Sequence, residues 1–199
     1  MKEDTMSIKL YQSQTSMFCE KVRIVMRMKN VPFEIFDVRP NRQPLIDFSG
    51  QRKVPAMDYD GKCIIDSTFI SAFLEEQYPQ NSIYPQKESD KGLCLMLEDW
   101  ADEVLNLAIR TFRHAETPEA KKEAEAGLGI HFHTLDQFFA GREFIFGRMT
   151  IADIAIFTQL HYLYTAVNYE IPAAHKTLLG WMDFMRRTLK LESLKASAM

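Results

Sequence analysis

Two short stretches of this chain have residue types that could hold a small charged ligand, and one tight turn separates them. The first is Lys53-Val54-Pro55. A proline opening a strand leaves nearby backbone groups unpaired, free to bond something extended lying alongside. The second is Asp66-Ser67, placed where a helix begins. A helix start offers free N–H groups and a positive dipole end, and with a serine hydroxyl added it suits a carboxylate. Each stretch also has a plainer reading. Most X-Pro bonds are trans, and most serines at helix starts are simply caps. Their occurrence one hairpin apart is more specific than either alone.

A second group to weigh is Ser16 with Cys19. Ser16 stands in a polar loop just before a helical pattern and, on pattern alone, reads as a cap. Cys19 reads as a buried helix residue. Cys63 and Cys94 stand at unrelated spacings, so the three cysteines suggest neither a disulfide framework nor a metal site. His131 and His133 are two apart and point different ways on a helix, which makes them poor joint metal ligands. No metal is expected, and a reduced cytoplasmic location is the default.

The elements that must position these residues follow from periodicity. Residues 7–12 alternate as a strand, and residues 17–30 turn helical through Phe18, Val22, Val25 and Met26. A second strand is expected over residues 31–38, then a polar loop with a short helix around residues 45–48. Asp60-Gly61 marks a hairpin turn, because glycine tolerates the positive φ the turn needs. The helix after Ser67 presents Phe69, Ile70, Phe73, Leu74 and Tyr78 as one stripe. The order β-α-β, loop, β-β-α predicts an α/β layer with a mixed sheet.

After residue 82 strand signals stop. Residues 83–90 read as a linker, which divides the chain into domains at 1–82 and 91–199. The second domain reads as all helical. Its first helix places Leu93, Leu97, Trp100, Val104 and Leu107 on one side, and Pro118 opens the next. Thr150 and Asp153 have the spacing of a capping box ahead of a helix that is apolar nearly all round, so their roles read as structural. A last helix follows Pro172.

Composition excludes little. The 199 residues are 46% hydrophobic, enough for a sizeable core, and the formal net charge of -3 implies no attraction to nucleic acid or anionic membrane. No apolar run reaches membrane-spanning length, and the first six residues lack the apolar core of a signal peptide.

Leu10-Tyr11, the run from Ser16 to Arg23, Lys53-Val54-Pro55, Asp66-Ser67 and the Thr150 to Asp153 box together resemble the cytosolic glutathione S-transferase family. The match runs through nearly the whole chain in the family's order. The resemblance implies a thioredoxin-like N-terminal domain plus an all-α C-terminal domain. It implies that Val54-Pro55 is cis, that Val54's backbone pairs with the cysteinyl part of glutathione, and that Asp66 and Ser67 hold the γ-glutamyl end. Lys53 and Arg52, beside Val54-Pro55, read either as partners of the glycine carboxylate or as solvated surface charges. In the serine-type classes (theta-like, delta-like) a serine at the position of Ser16 donates a hydrogen bond to the glutathione sulfur. The implied activity is conjugation of the glutathione thiolate to small hydrophobic electrophiles, in cytoplasmic detoxification by a homodimer. Glutathione is then a substrate.

Two alternatives stand beside this reading. A non-catalytic regulatory protein of the stringent-starvation type resembles the same family around Lys21 to Val25 and Val31 to Glu34. A glutathione-dependent reductase or peroxidase would need Cys19 as its reactive thiol. In the second domain, Arg110, Arg113 and His114 with Phe112 read either as a wall of the electrophile pocket or as a solvated helix face.

Overall fold

A computed structural model describes residues 7–191, which divide after Ile83 into two compact units. In the first unit, strands β1 (Ile8–Gln12), β2 (Glu34–Asp37), β3 (Ala56–Tyr59) and β4 (Lys62–Ile65) form one sheet in the order β2-β1-β3-β4. β2 runs parallel to β1, while β3 and β4 are successively antiparallel. Asp60 and Gly61 take φ of +53° and +84° at the hairpin tip, as the turn signal required.

Helices α1 (Met17–Met28) and α3 (Ser67–Gln77) pack against each other. The short α2 (Gln43–Ser49) contributes Leu45 to a cluster with Tyr11, Val38 and Ala56, around which Phe36, Phe48 and Val54 close. Strand alternation puts Leu10 and Met57, both fully buried, on the opposite face of the sheet. Tyr11 lies between the rings of Phe36 and Phe48, a packed strand residue as its pattern suggested.

The second strand starts later than residue 31. Asn30 is left-handed at φ +54°, Asn30 N–H bonds Arg27 O, and Val31 N–H bonds Met26 O at 2.9 Å. These are the two bonds of a Schellman cap, so Val31 closes α1 rather than opening β2. In α3 the buried row is Ser67, Ile70, Ser71 and Leu74, and Phe69, expected in the apolar stripe, is 68% exposed.

The second unit, described by itself, is helical. It comprises α4 (Glu88–Asp99), a π-helical turn (Trp100–Leu105), α5 (Asn106–His114), α6 (Pro118–Phe138), α7 (Ile151–Thr165) and α8 (Lys176–Thr188). α4 begins inside the stretch read as a linker, where Glu88 and Asp90 complement the positive end of the helix. From α4 to α5 the buried row is Cys94, Glu98, Ala101, Leu105, Ile109 and Phe112, one residue out of phase with the expected stripe. Leu93, Val104 and Leu107 of that stripe are exposed. Two apolar rows lie side by side here, and the one that packs is disguised by Glu98 and Asn106. Along α6 it is Phe132 that is buried, with His131 only half-covered and edge-on to Trp100.

α7 is the core of this unit, buried at every residue from Ile151 to Leu163. Asp153 Oδ2 accepts from the Thr150 N–H and hydroxyl at 2.8 Å each, and Oδ1 accepts from Ile145 N–H at 3.0 Å. The capping box is therefore structural. None of the described helices is long and apolar enough to cross a membrane.

Candidate functional site

Sheet register assembles the candidate residues. Tyr11 of β1 pairs with Ala56 of β3, and Ala56 pairs with Ile65 of β4. The antiparallel steps bring the exit of β1, the entry of β3 and the exit of β4 to one end of the sheet. The loop bearing Ser16 follows β1, Lys53-Val54-Pro55 precedes β3, and Asp66-Ser67 follows β4. Three stretches far apart in sequence thus share one end of one layer.

Asp66, not Ser67, caps α3. Its carboxylate accepts from Thr68 N–H at 2.8 Å and its carbonyl from Ile70 N–H at 2.9 Å. Ser67 is the first helical residue, 4% exposed, and its hydroxyl bonds no other described residue. Its N–H lies at the positive end of the helix without an intrahelical acceptor. Asp66 holds φ +71° and ψ 134°, a conformation L-residues rarely adopt. Such strain of about 1–3 kcal/mol persists where the surroundings over-determine it, commonly at ligand sites.

The Val54-Pro55 bond is cis, as the resemblance implied. Val54 is half-buried and Pro55 buried, while Lys53 is exposed and forms no side-chain bond to a described residue. The Arg52 carbonyl accepts from Arg42 at 2.6 Å.

Ser16 caps α1, its hydroxyl oxygen accepting from Cys19 N–H at 3.3 Å. That uses one lone pair. The hydroxyl hydrogen is still available, so capping and donating to a sulfur are compatible roles. Cys19 is fully buried, and burial pushes its thiol up despite the bond to Ser16 and the nearby Arg23. A buried thiol of raised pKa is a poor nucleophile and does not favour the reductase reading.

Two buried cations connect these parts. Lys21, fully buried in α1, donates to Thr68 Oγ1 at 3.2 Å and so joins the helix behind Ser16 to the helix behind Ser67. Arg23 bonds back to Gln12, Gln14 and Glu20. Lys21 stood in the sequence as a charge within the stripe of Phe18, Val22 and Val25, and that is the signal that could have marked it as part of the site.

In the helical unit the proposed basic cluster does not hold together. Phe112 is buried against Tyr169, Arg113 bonds the Tyr162 hydroxyl, and Arg110 is exposed. His114 instead lines a groove of about 900 Å³ with Leu107, Ala124 and His131.

Residues 10–82 match the family model described as glutathione S-transferase, N-terminal domain. Glutathione S-transferase U1 of Arabidopsis thaliana is 28% identical over 158 residues, covering 76% of this chain and 68% of that protein. A probable glutathione S-transferase of Nicotiana tabacum is 29% identical over 155 residues, covering 74% and 67%. The Tau class enzyme of mango, Mangifera indica, superposes with a TM-score of 0.81 over 94% of both chains at 21% identity. Human glutathione-S-transferase T1-1 does so at 0.81 over 92% of this chain and 84% of that one, at 19% identity. A sheet that gathers the exit of β1, the cis Val54-Pro55 and the start of α3 at one end therefore has the fold of known glutathione S-transferases, and residues 10–82 match the N-terminal domain of that family.

Proposed function

We propose that this protein is a glutathione transferase that adds the glutathione thiolate to small hydrophobic electrophiles. The observation that carries the reading is Ser67, a nearly buried residue whose hydroxyl bonds no other described residue, set at the positive end of α3. It suits the γ-glutamyl carboxylate, with the Asp66 carboxylate meeting the adjacent amine. The Val54 backbone pairs with the cysteinyl unit, and exposed Lys53 meets the glycine carboxylate.

This binding mode delivers the sulfur to the end of the sheet where Ser16 begins α1. The Ser16 hydroxyl donates to the sulfur, and the helix dipole adds to it. A hydrogen bond to a charged group contributes about 1.5–3 kcal/mol, which lowers a thiol pKa by roughly one to two pH units. The thiol proton leaves to solvent, the thiolate attacks the electrophilic carbon, a C–S bond forms, and a leaving group departs with the bonding pair.

The working form is a homodimer in the cytoplasm. The support is apolar surface that a second copy would cover: Phe69 on α3 at 68% exposure, and Leu93 and Met96 on α4 at 53% and 54%. Free Cys19, Cys63 and Cys94 suit a reducing compartment.

The test is conjugation of glutathione to a panel of electrophiles by wild type and Ser16→Ala. Turnover with at least one electrophile is expected, reduced at least tenfold at pH 6.5 by the substitution, an effect of about one pKa unit on the thiol. No turnover across the panel, or full activity in Ser16→Ala, refutes the assignment.

A further inference from the structure

Arg23 lies in the second turn of α1 and is 5% exposed. A guanidinium there is costly unless its donors are used. They are used on three separate segments. Nη1 donates to Gln12 Oε1 at the end of β1, and Nη2 to the Gln14 carbonyl at 3.3 Å in the loop. Nε donates to Glu20 Oε2 at 2.8 Å in the first turn of α1, with Nη2 on the same oxygen. Ser16 sits in sequence between the second and third of these anchors.

The remaining restraints on Ser16 are local. Its N–H bonds Ser13 O at 3.1 Å, its carbonyl accepts from Glu20 N–H at 2.9 Å, and its hydroxyl caps Cys19 N–H. These set the shape of the turn. Arg23 adds side-chain bonds from the second turn of α1 to the end of β1 and to the loop itself. Arg39 also reaches Gln14, at 3.3 Å, but from an exposed position where such bonds contribute little.

Arg23 also answers a charge. Glu20 lies in the first turn of α1, near the end where a thiolate would sit, and among the described residues its Oε1 has no hydrogen bond and has Arg27 at 3.7 Å. The other charged groups around this loop are Lys21, bound to Thr68, and the Asp37–Arg39 pair after β2.

We infer that Arg23 is a positioning residue for the transferase reaction: it holds the Ser16 hydroxyl where the glutathione thiolate needs it. The inference rests on the role proposed for Ser16. Arg23→Lys keeps the charge but cannot fork to three segments. An error of about 1 Å in a catalytic group costs up to roughly a hundredfold in rate.

The experiment measures the pH profile of kcat/KM, and Kd for S-methylglutathione, which lacks the thiol, in wild type, Ser16→Ala, Arg23→Lys and the double variant Arg23→Gln/Glu20→Gln. In Arg23→Lys the profile midpoint should rise by about one pH unit, lowering kcat/KM about tenfold at pH 6.5. Its Kd for S-methylglutathione should stay within about twofold, since Ser67 and Val54 hold that ligand and a twofold change is small on the free-energy scale. The raised midpoint should persist in the double variant. If the double variant returns to the wild-type midpoint, Arg23 acts only by balancing Glu20 and positioning is overturned. A shifted Ser16→Ala with an unshifted Arg23→Lys overturns this inference alone. An unshifted Ser16→Ala overturns the serine reading beneath it. Should the Arg23 variants not fold, Gln12→Met removes one anchor and should raise the midpoint by a smaller amount; no rise there overturns the inference equally.

Discussion

Replacing Asp66 with glycine should move stability and ligand affinity in opposite directions. The residue sits at φ +71° and ψ 134°, which glycine adopts without penalty and an L-residue does not. Release of that strain is worth about 1–3 kcal/mol. Against it stand the lost cap, which costs a few tenths of a kcal/mol when the replacement is glycine, and the extra freedom of glycine in the unfolded chain, about 0.4–1 kcal/mol. The balance lies between about zero and 2 kcal/mol in favour of Asp66→Gly. Asp66→Ala is the contrast: it keeps the strain and loses a cap worth about 1 kcal/mol, so it should be less stable than wild type. Both variants lose the carboxylate proposed to meet the glutathione amine, which should weaken binding about tenfold to a hundredfold. Urea unfolding measures the first quantity and titration calorimetry with glutathione the second. An Asp66→Gly protein more than 1 kcal/mol less stable than wild type would show that the backbone there is not strained, and wild-type affinity in both variants would show that Asp66 does not meet the ligand.

Three further outcomes are expected. Ser67→Ala should weaken glutathione binding about tenfold to a hundredfold while leaving the unfolding midpoint nearly unchanged, because Asp66 supplies the cap and the hydroxyl bonds no protein group; an unchanged Kd in calorimetry would place the ligand elsewhere. Burial alone would raise the Glu75 carboxyl, but bonds from Lys29, Ser82 and the Ile83 N–H outweigh it and hold it below its ordinary value. A depressed carboxylate pKa gives stability that is present above the unfolded value near 4.5 and lost as pH falls through the folded value. Urea midpoints of wild type should therefore drop below about pH 4.5 more steeply than those of Glu75→Gln, and parallel curves would refute this. Asp153→Ala strands the Ile145 and Thr150 N–H groups together with the Thr150 hydroxyl, and thermal unfolding should report a loss of about 3 kcal/mol or more; a loss under about 1 kcal/mol would refute the capping role.

The parts that were legible in the sequence were those where local chemistry and burial agree. Asp60-Gly61 demands positive φ wherever it stands, and the apolar run from Ile151 to Leu163 can only be a buried helix. Phase was harder to read. The α4–α5 stretch carries two adjacent apolar rows, and the row chosen by hydrophobicity was the exposed one, because the packed row includes Glu98 and Asn106. Phe69 misled for the same reason: an apolar side chain at helical spacing marks a face, and nothing in one chain's pattern says whether that face packs within the chain. Which of Asp66 and Ser67 caps α3 was not legible, since Asp and Ser both cap and only the backbone decides between them.

What no periodicity could have shown is how α1 is aimed. Three cations of α1 and its C-cap are nearly or fully buried, and each reaches a different segment: Lys21 to Thr68 at the start of α3, Arg23 to Gln12, Gln14 and Glu20, and the C-cap Lys29 to Glu75 and the Tyr78 carbonyl. Buried charges are poor sources of stability, since desolvation offsets most of what pairing returns. Apolar side chains of similar volume would hold the layer together at least as well. They would not fix orientation, because burial is non-directional and tolerates sliding, whereas a hydrogen bond at 3.2 Å between Lys21 and Thr68 does not. The apolar core thus decides that α1 and α3 pack, and the buried cations add directional bonds from α1 to the start of α3 and to the loop that carries Ser16. A site of the kind proposed, with a ligand's carboxylate at one helix start and its sulfur at another, needs the second kind of information, and the directional bonds of α1 would supply it.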